Sequence, residues 1–490
     1  MTENQFHFKM ALGCTRLQQD SAALVIVLVC VLCAPCAALY RRSHRDGAPL
    51  ESAAEEQWFI QRLDHFSGAD TRVWKQRYFV NDTFYRPGGP VFLMIGGEGP
   101  ANPAWMQYGT WLLYAQKLGA LCLLLEHRFY GKSHPTEDLS TENLRFLSSR
   151  QALADLAHFR TVTAVTRGLT NNKWVAFGGS YPGSLAAWFR LKYPHLVHAS
   201  VATSAPVHAT VNFPVSSLVT FDLGSDMEQG QSSQHDPQKE NTQSKTSFIF
   251  LFLPAHRVSA VMPLAVLVME YKLCSKLQIQ TKMDSAYLLE SLAGNFMDVV
   301  QYNEDNRGFE VCEPYDRYAA VARLMQSTFS QACINTQYKS YIQDMSNTSW
   351  SGPEAGGGRQ WVYQTCTEFG FYQSTDSPNQ PFSGFPLPYH LQQCADIYNL
   401  STSLDDAIQQ TNEEYGGYDI RTTRIVFPNG SIDPWHALGV TQDITSDLPA
   451  VFIKGTAHCA NMYPARAEDL PQLSLARDHI FILLQKWLAE

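Results

Sequence analysis

The sharpest chemical signal in the chain is a serine among glycines, set between an apolar run and a helical segment. Phe177-Gly178-Gly179-Ser180-Tyr181-Pro182-Gly183 follows Trp174-Val175-Ala176-Phe177, which reads as a buried strand, and leads into a helix from about Gly183 to Lys192. A serine on such a turn lifts its Oγ above the sheet edge, and the helix N-terminus behind it favours developing negative charge. Small neighbours are needed because backbones pass closely there. Serine alone is a weak nucleophile, so a base and an orienting carboxylate must come from elsewhere in the chain. Asp433 stands on a turn just after the predicted strand 424–427, and His458 follows the predicted strand 450–453. His127, His390 and His436 compete for the role of base, but none has that strand-then-loop position. An oxyanion hole needs two backbone N–H groups. Tyr181 is the candidate for one, and Gly97 or Glu98, in the loop Gly96-Gly97-Glu98-Gly99, for the other. Each of these alone would pass for an ordinary loop residue. Three in register after three strands are much harder to obtain by accident.

The elements that must position them are legible as well. Continuous apolar runs at 91–95, 121–125, 174–177 and 199–202 alternate with helical segments at 105–118, 149–167 and 183–192. Short runs of this kind separated by helices predict an α/β fold with a mostly parallel sheet covered on both faces. The chain order Ser, Asp, His, with each residue beyond a strand, is that of an α/β-hydrolase core. The alternation breaks after about residue 213. Residues 225–247 are polar and read as a disordered loop. Two apolar runs follow, at 248–253 and 258–269, and prolines, His256 and Arg257 interrupt them as a membrane span. Residues 285–344 are helical in tendency, 346–388 loop-rich, and 478–488 a final amphipathic helix. The expected organisation is a signal peptide or signal anchor over 1–40, a short segment 41–56 and a first core part 57–213. A helical cap insertion then occupies 214–404, atypical over 214–282, and a second core part 405–490.

Composition narrows the class. With 490 residues, 17% charged and 12% aromatic, the chain suits a large globular enzyme rather than a disordered or fibrous protein. The net charge of −9 argues against nucleic acid as a partner. The apolar run 22–40, closing in small residues, points to the secretory pathway, with membrane attachment only if that segment stays uncleaved. Sequons at Asn81, Asn347, Asn399 and Asn429 are candidate glycosylation sites. Of the eleven cysteines, four lie in the leader (Cys14, Cys30, Cys33, Cys36) and Cys274 in the atypical stretch. Cys122, Cys312, Cys333, Cys366, Cys394 and Cys459 remain as structural candidates, with disulfides the default in an oxidising lumen. No pair among the cysteines outside the leader has metal-site spacing, and no metal or cofactor is expected.

Several further motifs carry a resemblance to a family. Gln61-Arg62-Leu63-Asp64-His65-Phe66, Gln76-Arg77-Tyr78-Phe79, Gly96-Gly97-Glu98-Gly99-Pro100 and Glu126-His127-Arg128-Phe129-Tyr130-Gly131-Lys132-Ser133 resemble the lysosomal Pro-X carboxypeptidase and dipeptidyl peptidase II family of serine peptidases. So do Gly178-Gly179-Ser180-Tyr181, Asn429-Gly430 with Asp433-Pro434-Trp435, and the turn from Gly455 to His458. The match covers about residues 57–213 and 285–488. Ser184 to Trp188, Tyr363 to Gly370 and His458-Cys459 are most similar to its thymus-specific branch. The resemblance implies Ser180, Asp433 and His458 in the triad roles, peptide substrates cut near chain ends, proline before the cut in some branches, and an endosomal or lysosomal lumen. A homodimer is also compatible with it. Pro182 departs from the family, which carries a small residue there. Two other readings stay open from the sequence: a catalytically impaired relative that binds rather than cleaves, and an esterase or lipase on the same fold.

Overall fold

Residues that are apolar in every position of a strand are satisfied only in the middle of a sheet covered on both faces. In the computed structural model, which describes residues 55–214, 279–302, 336–378, 382–401 and 403–490, that is where they lie. Strands β3 (Val91–Ile95), β4 (Leu121–Leu125) and β6 (Ala199–Thr203) are buried throughout, as are β9 (Ile425–Gly430) and all but the last residue of β5 (Trp174–Gly179). With β1 (Gln57–Arg62), β2 (Val73–Asn81) and β10 (Ala450–Ile453) they form an eight-stranded sheet in the order β1-β2-β4-β3-β5-β6-β9-β10. The pairs β1/β2 and β2/β4 are antiparallel and the others parallel. The edges differ from the centre as expected: β1 exposes Trp58 and Ile60, and β10 exposes Phe452.

Strand alternation sorts the central side chains onto two cores. Leu93, Ile95, Leu123, Leu125 and Ala176 pack with helices α2 (Ser149–Thr166) and α3 (Tyr181–Lys192). Phe92, Met94, Leu124, Val175 and Phe177 pack on the opposite face with α1 (Thr110–Leu118) and α9 (Pro471–Ala489). This is the expected α/β-hydrolase core. The terminal helix begins earlier than the sequence pattern indicates, with Pro471 in its first turn, where a missing N–H costs nothing. The helical stretch read at 105–118 is a 3-10 turn (Pro103–Met106) and then α1, separated by Gly109 with φ 116°.

Between β6 and β9 the chain adds helices α4 (Lys282–Gln301), α5 (Tyr338–Met345), α6 (Gly358–Gln364), α7 (Leu387–Tyr398) and α8 (Leu404–Tyr415). The stretch 346–388 is more regular than its composition suggests. It holds α6, a π-helical turn (Thr365–Phe369) and β8 (Gly370–Tyr372), which pairs with β7 (Thr210–Asn212). Tertiary pairing supplies the order that local propensity does not. The leader, residues 41–54, most of the atypical stretch, and Cys274, Cys312 and Cys333 lie outside the described residues. Among the described residues no helix is long and apolar enough to cross a membrane.

Two expectations are corrected. Cys366 and Cys394 form a disulfide between the π turn and α7, but Cys122 and Cys459 are free and buried. Cys122 sits inside β4 as a small apolar side chain, and burial pushes its thiol pKa far up. Asn429 is unsuited to a glycan: it is 1% exposed within β9, and its Nδ2 donates to the Val440 carbonyl at 2.9 Å. Asn347 and Asn399 are exposed, while Asn81 is half-buried with its Nδ2 donating to the Met106 carbonyl.

Candidate active site

The serine turn is built as its spacing requires. Ser180 ends β5 and opens α3 with φ 67° and ψ −135°, a left-handed backbone that a non-glycine residue adopts only when its surroundings hold it there. Three bonds hold it: its N–H donates to the Thr203 carbonyl at 3.0 Å, and its carbonyl accepts from the N–H groups of Gly183 at 2.8 Å and Ser184 at 3.2 Å. A Cβ at Gly178 would lie 2.0 Å from the Pro182 carbonyl oxygen, so strand and helix pass too closely for any side chain there. Ser180 itself stays half-buried.

Pro182 is accommodated by its neighbour. It stands in the first turn of α3, where no helical N–H is lost, and its ring lies over Gly97. A Cβ on Gly97 would come 2.4 Å from the Pro182 Cγ. The loop after β3 is thereby seated beside the serine turn. The N–H groups of Tyr181 and Gly97 make no hydrogen bond among the described residues, which leaves both available to a developing oxyanion.

Asp433 and His458 meet although 25 residues separate them. Asp433 is fully buried after β9 and caps the turn Pro434–Leu438, its Oδ1 accepting from the Trp435 N–H at 2.9 Å. His458 is 1% exposed, and its Nδ1 lies 2.9 Å from each Asp433 carboxylate oxygen. The carboxylate therefore holds the proton on Nδ1 and leaves Nε2 as the acceptor. Nε2 is buried and makes no hydrogen bond among the described residues. Burial is the largest single influence and lowers the pKa of this ring, but the charge and hydrogen bonds of Asp433, together with the neighbouring Cys459, outweigh it and hold the pKa well above 6.5.

The end of β6 ties the pieces together, a role that sequence reasoning missed. Thr203 accepts the Ser180 N–H through its carbonyl and the Asn461 Nδ2 through its hydroxyl at 3.0 Å. Ser204, itself at φ 46°, accepts the Cys459 N–H on its Oγ at 3.0 Å and donates its N–H to the Pro428 carbonyl at 2.7 Å. One buried dipeptide thus pins the serine turn, the histidine loop and β9. The hydroxyls of Thr203-Ser204 directly after an apolar run were the available signal. Gln301 was equally unforeseen: its carbonyl accepts the His458 N–H at 2.9 Å, and the Tyr302 ring stands edge-on to the imidazole at 5.8 Å.

Behind the serine, a buried polar network fixes Tyr181. His127 Nδ1 lies 2.7 Å from the Arg128 carbonyl and must donate to it, so His127 Nε2 accepts from the Tyr181 hydroxyl at 3.1 Å. Burial depresses the His127 pKa to about 4, which keeps that tautomer neutral. Gln364 Nε2 donates to the same hydroxyl at 3.1 Å and to Glu368 at 3.2 Å, and Gln364 Oε1 accepts from Tyr130. His127 is thereby occupied structurally. His390 Nδ1 lies 3.4 Å from Glu290, and His436 Nδ1 2.6 Å from the Asp433 carbonyl. Neither is gripped by both oxygens of a fully buried carboxylate as His458 is. Among the described residues no cluster could hold a metal ion.

Comparison with known proteins agrees with this arrangement. The chain is 37% identical to thymus-specific serine protease of Mus musculus, covering 89% of this chain and 88% of that one. It is 36% identical to the Homo sapiens protein of the same name, over 88% and 86%, and 28% identical to lysosomal Pro-X carboxypeptidase of Bos taurus, over 89% and 88%. Residues 61–480 match the family described as serine carboxypeptidase S28. With the strand order, the serine turn and the Asp433–His458 pair in place, the chain belongs to the serine carboxypeptidase S28 family and is a serine-type peptidase.

Proposed function

We propose that the protein hydrolyses peptide bonds near chain ends through Ser180, His458 and Asp433. The observation that carries this reading is the buried Asp433–His458 pair with Nε2 unoccupied, on the same strand-end edge as the left-handed Ser180. Ser180 Oγ attacks the carbonyl carbon while its proton passes to His458 Nε2. The oxyanion is met by the N–H of Tyr181 and that of Gly97 or Glu98. On collapse the C–N bond breaks, and His458 returns the proton to the departing amine. Water then releases the acyl group by the same route. Asp433 stabilises the imidazolium formed in both steps. The Cys366–Cys394 disulfide and the apolar leader support a lumenal site of action, endosomal or lysosomal in this reading. Cleavage after proline stands as the first preference to assay, since relatives bearing a Pro-X name cover most of the chain.

The test is covalent labelling. The wild-type protein should react with a fluorophosphonate probe and Ser180→Ala should not, while its circular dichroism stays native. Labelling that persists in the variant would remove Ser180 from the nucleophile's role.

A further inference from the structure

Helix α4 of the inserted segment ends on the Asp433–His458 pair. Its last residue, Gln301, bonds to both loops that carry the pair, through two different groups. The Gln301 carbonyl accepts the His458 N–H at 2.9 Å. The Gln301 Oε1 accepts the Trp435 indole N–H at 3.1 Å, and the backbone N–H of Trp435 in turn donates to Asp433 Oδ1 at 2.9 Å. An indole N–H can only donate, so the amide oxygen of Gln301 and not its nitrogen must face it. The Trp435 ring is packed against those of Phe213 and Phe371, with centroids 5.4 and 5.7 Å away. The core joins the same two loops at their bases. There the Ser431 N–H donates to the Ile453 carbonyl at 3.0 Å, and the Ile432 N–H to the Thr456 carbonyl at 3.1 Å.

Successive N–H groups of the histidine loop thus go to different parts of the molecule. That of His458 goes to the inserted helix, and that of Cys459 to Ser204 at the end of β6. Both bonds fix the direction in which the imidazole leaves its backbone. The last carbonyls of a helix have no partner within it and carry partial negative charge, which favours a cation nearby. The imidazolium formed on His458 in each step of the reaction is such a cation. On the other loop, the Gln301 side chain fixes the indole of the residue whose backbone N–H holds Asp433. A misplacement of about 1 Å among such groups can cost on the order of a hundredfold in rate. From these contacts we propose that Gln301 is a positioning residue for the reaction, through which helix α4 holds Asp433 and His458 in register. The inserted segment then completes the site, and the α/β core without it is an incomplete enzyme. This inference rests on the Ser180 reading and adds to it a residue from outside the core.

The experiment measures peptide turnover and the second-order rate of fluorophosphonate labelling on the full-length protein. Gln301→Leu keeps a good helix former and removes the side-chain acceptor. It should lower both kcat and the labelling rate about tenfold, with a much smaller change in KM. Trp435→Phe removes the donor of the same bond, so the double variant should be no slower than the slower single one. Gln301→Glu keeps the acceptor and should hold kcat near the wild-type value on the alkaline side. The titratable groups coupled to His458 already include Asp433, Cys459 and Glu98. A further carboxylate there should move the acid limb of kcat/KM to higher pH. Losses that add up in the double variant overturn the proposal, as does a Gln301→Leu protein with wild-type kcat and labelling rate. A change in KM alone overturns it too, since Gln301 would then serve substrate binding. If Gln301→Leu fails to fold, Gln301→Glu decides: an acid limb that stays in place sinks the idea. Absence of labelling in the wild type is a different outcome and strikes the Ser180 reading itself.

Discussion

At the scale of single residues, the site depends on one imidazole being held in one tautomer. Asp433 does this with both oxygens at 2.9 Å. Removing its charge while keeping its shape should be severe. Asp433→Asn should lower kcat about ten-thousand-fold with a much smaller change in KM, because the wrong nitrogen would carry the proton. The same substitution has a signed pH consequence. Burial lowers the His458 pKa, and the Asp433 carboxylate, with a smaller contribution from Cys459, raises it to a net upward shift. In the proposed mechanism His458 acts as the neutral base, so activity should fall as pH drops through that pKa. Without the carboxylate, the acid limb of the kcat/KM profile should move to lower pH. A residual activity whose acid limb stays in place would show that another group sets it.

At the scale of elements, the site is a set of strand ends held in register. β5 presents Ser180, β9 leads to Asp433, β10 leads to His458, and β3 leads to Gly97 and Glu98. Parallel strands place all these loops on the same edge, which is why open α/β sheets keep their sites there. The fit between the β3 loop and α3 is a packed contact between Gly97 and the Pro182 ring. Gly97→Ala should displace one of the two and cost at least about tenfold in kcat/KM. Adding Pro182→Gly to Gly97→Ala should recover most of that loss, since the ring is what the new methyl meets. A double variant as poor as Gly97→Ala alone would mean that the loop fails for another reason. The Thr203-Ser204 dipeptide belongs to this scale too, because its bonds reach from the serine turn to residue 459.

At the scale of the whole molecule, the inserted helices contribute to the site as well as covering the sheet. Gln364 and Glu368 support Tyr181, and Gln301 supports His458. The Cys366–Cys394 bridge closes a loop of 28 residues around this region. Cys394→Ala should lower unfolding stability by about 3 kcal/mol, read from denaturant curves, with the loss confined to oxidising conditions. Equal stability of the two proteins without reductant would show the bridge to be dispensable. Much of this arrangement was legible beforehand. Strands, serine turn and candidate triad were readable because each is a local event: an apolar run, then a loop of distinctive residues. The burial of Asn429, the free state of Cys122 and Cys459, and the order within 346–388 were not. They depend on which distant segments pack together, and chain order does not encode that at short range. The sequence by itself determined the α/β-hydrolase core, the serine turn and the family, because hydrophobic period and turn chemistry act over a few residues. Only the tertiary structure decided that Asp433 grips His458 with both oxygens, and that β6 pins the serine turn, the histidine loop and β9. Those are consequences of contacts spanning from tens of residues to more than two hundred.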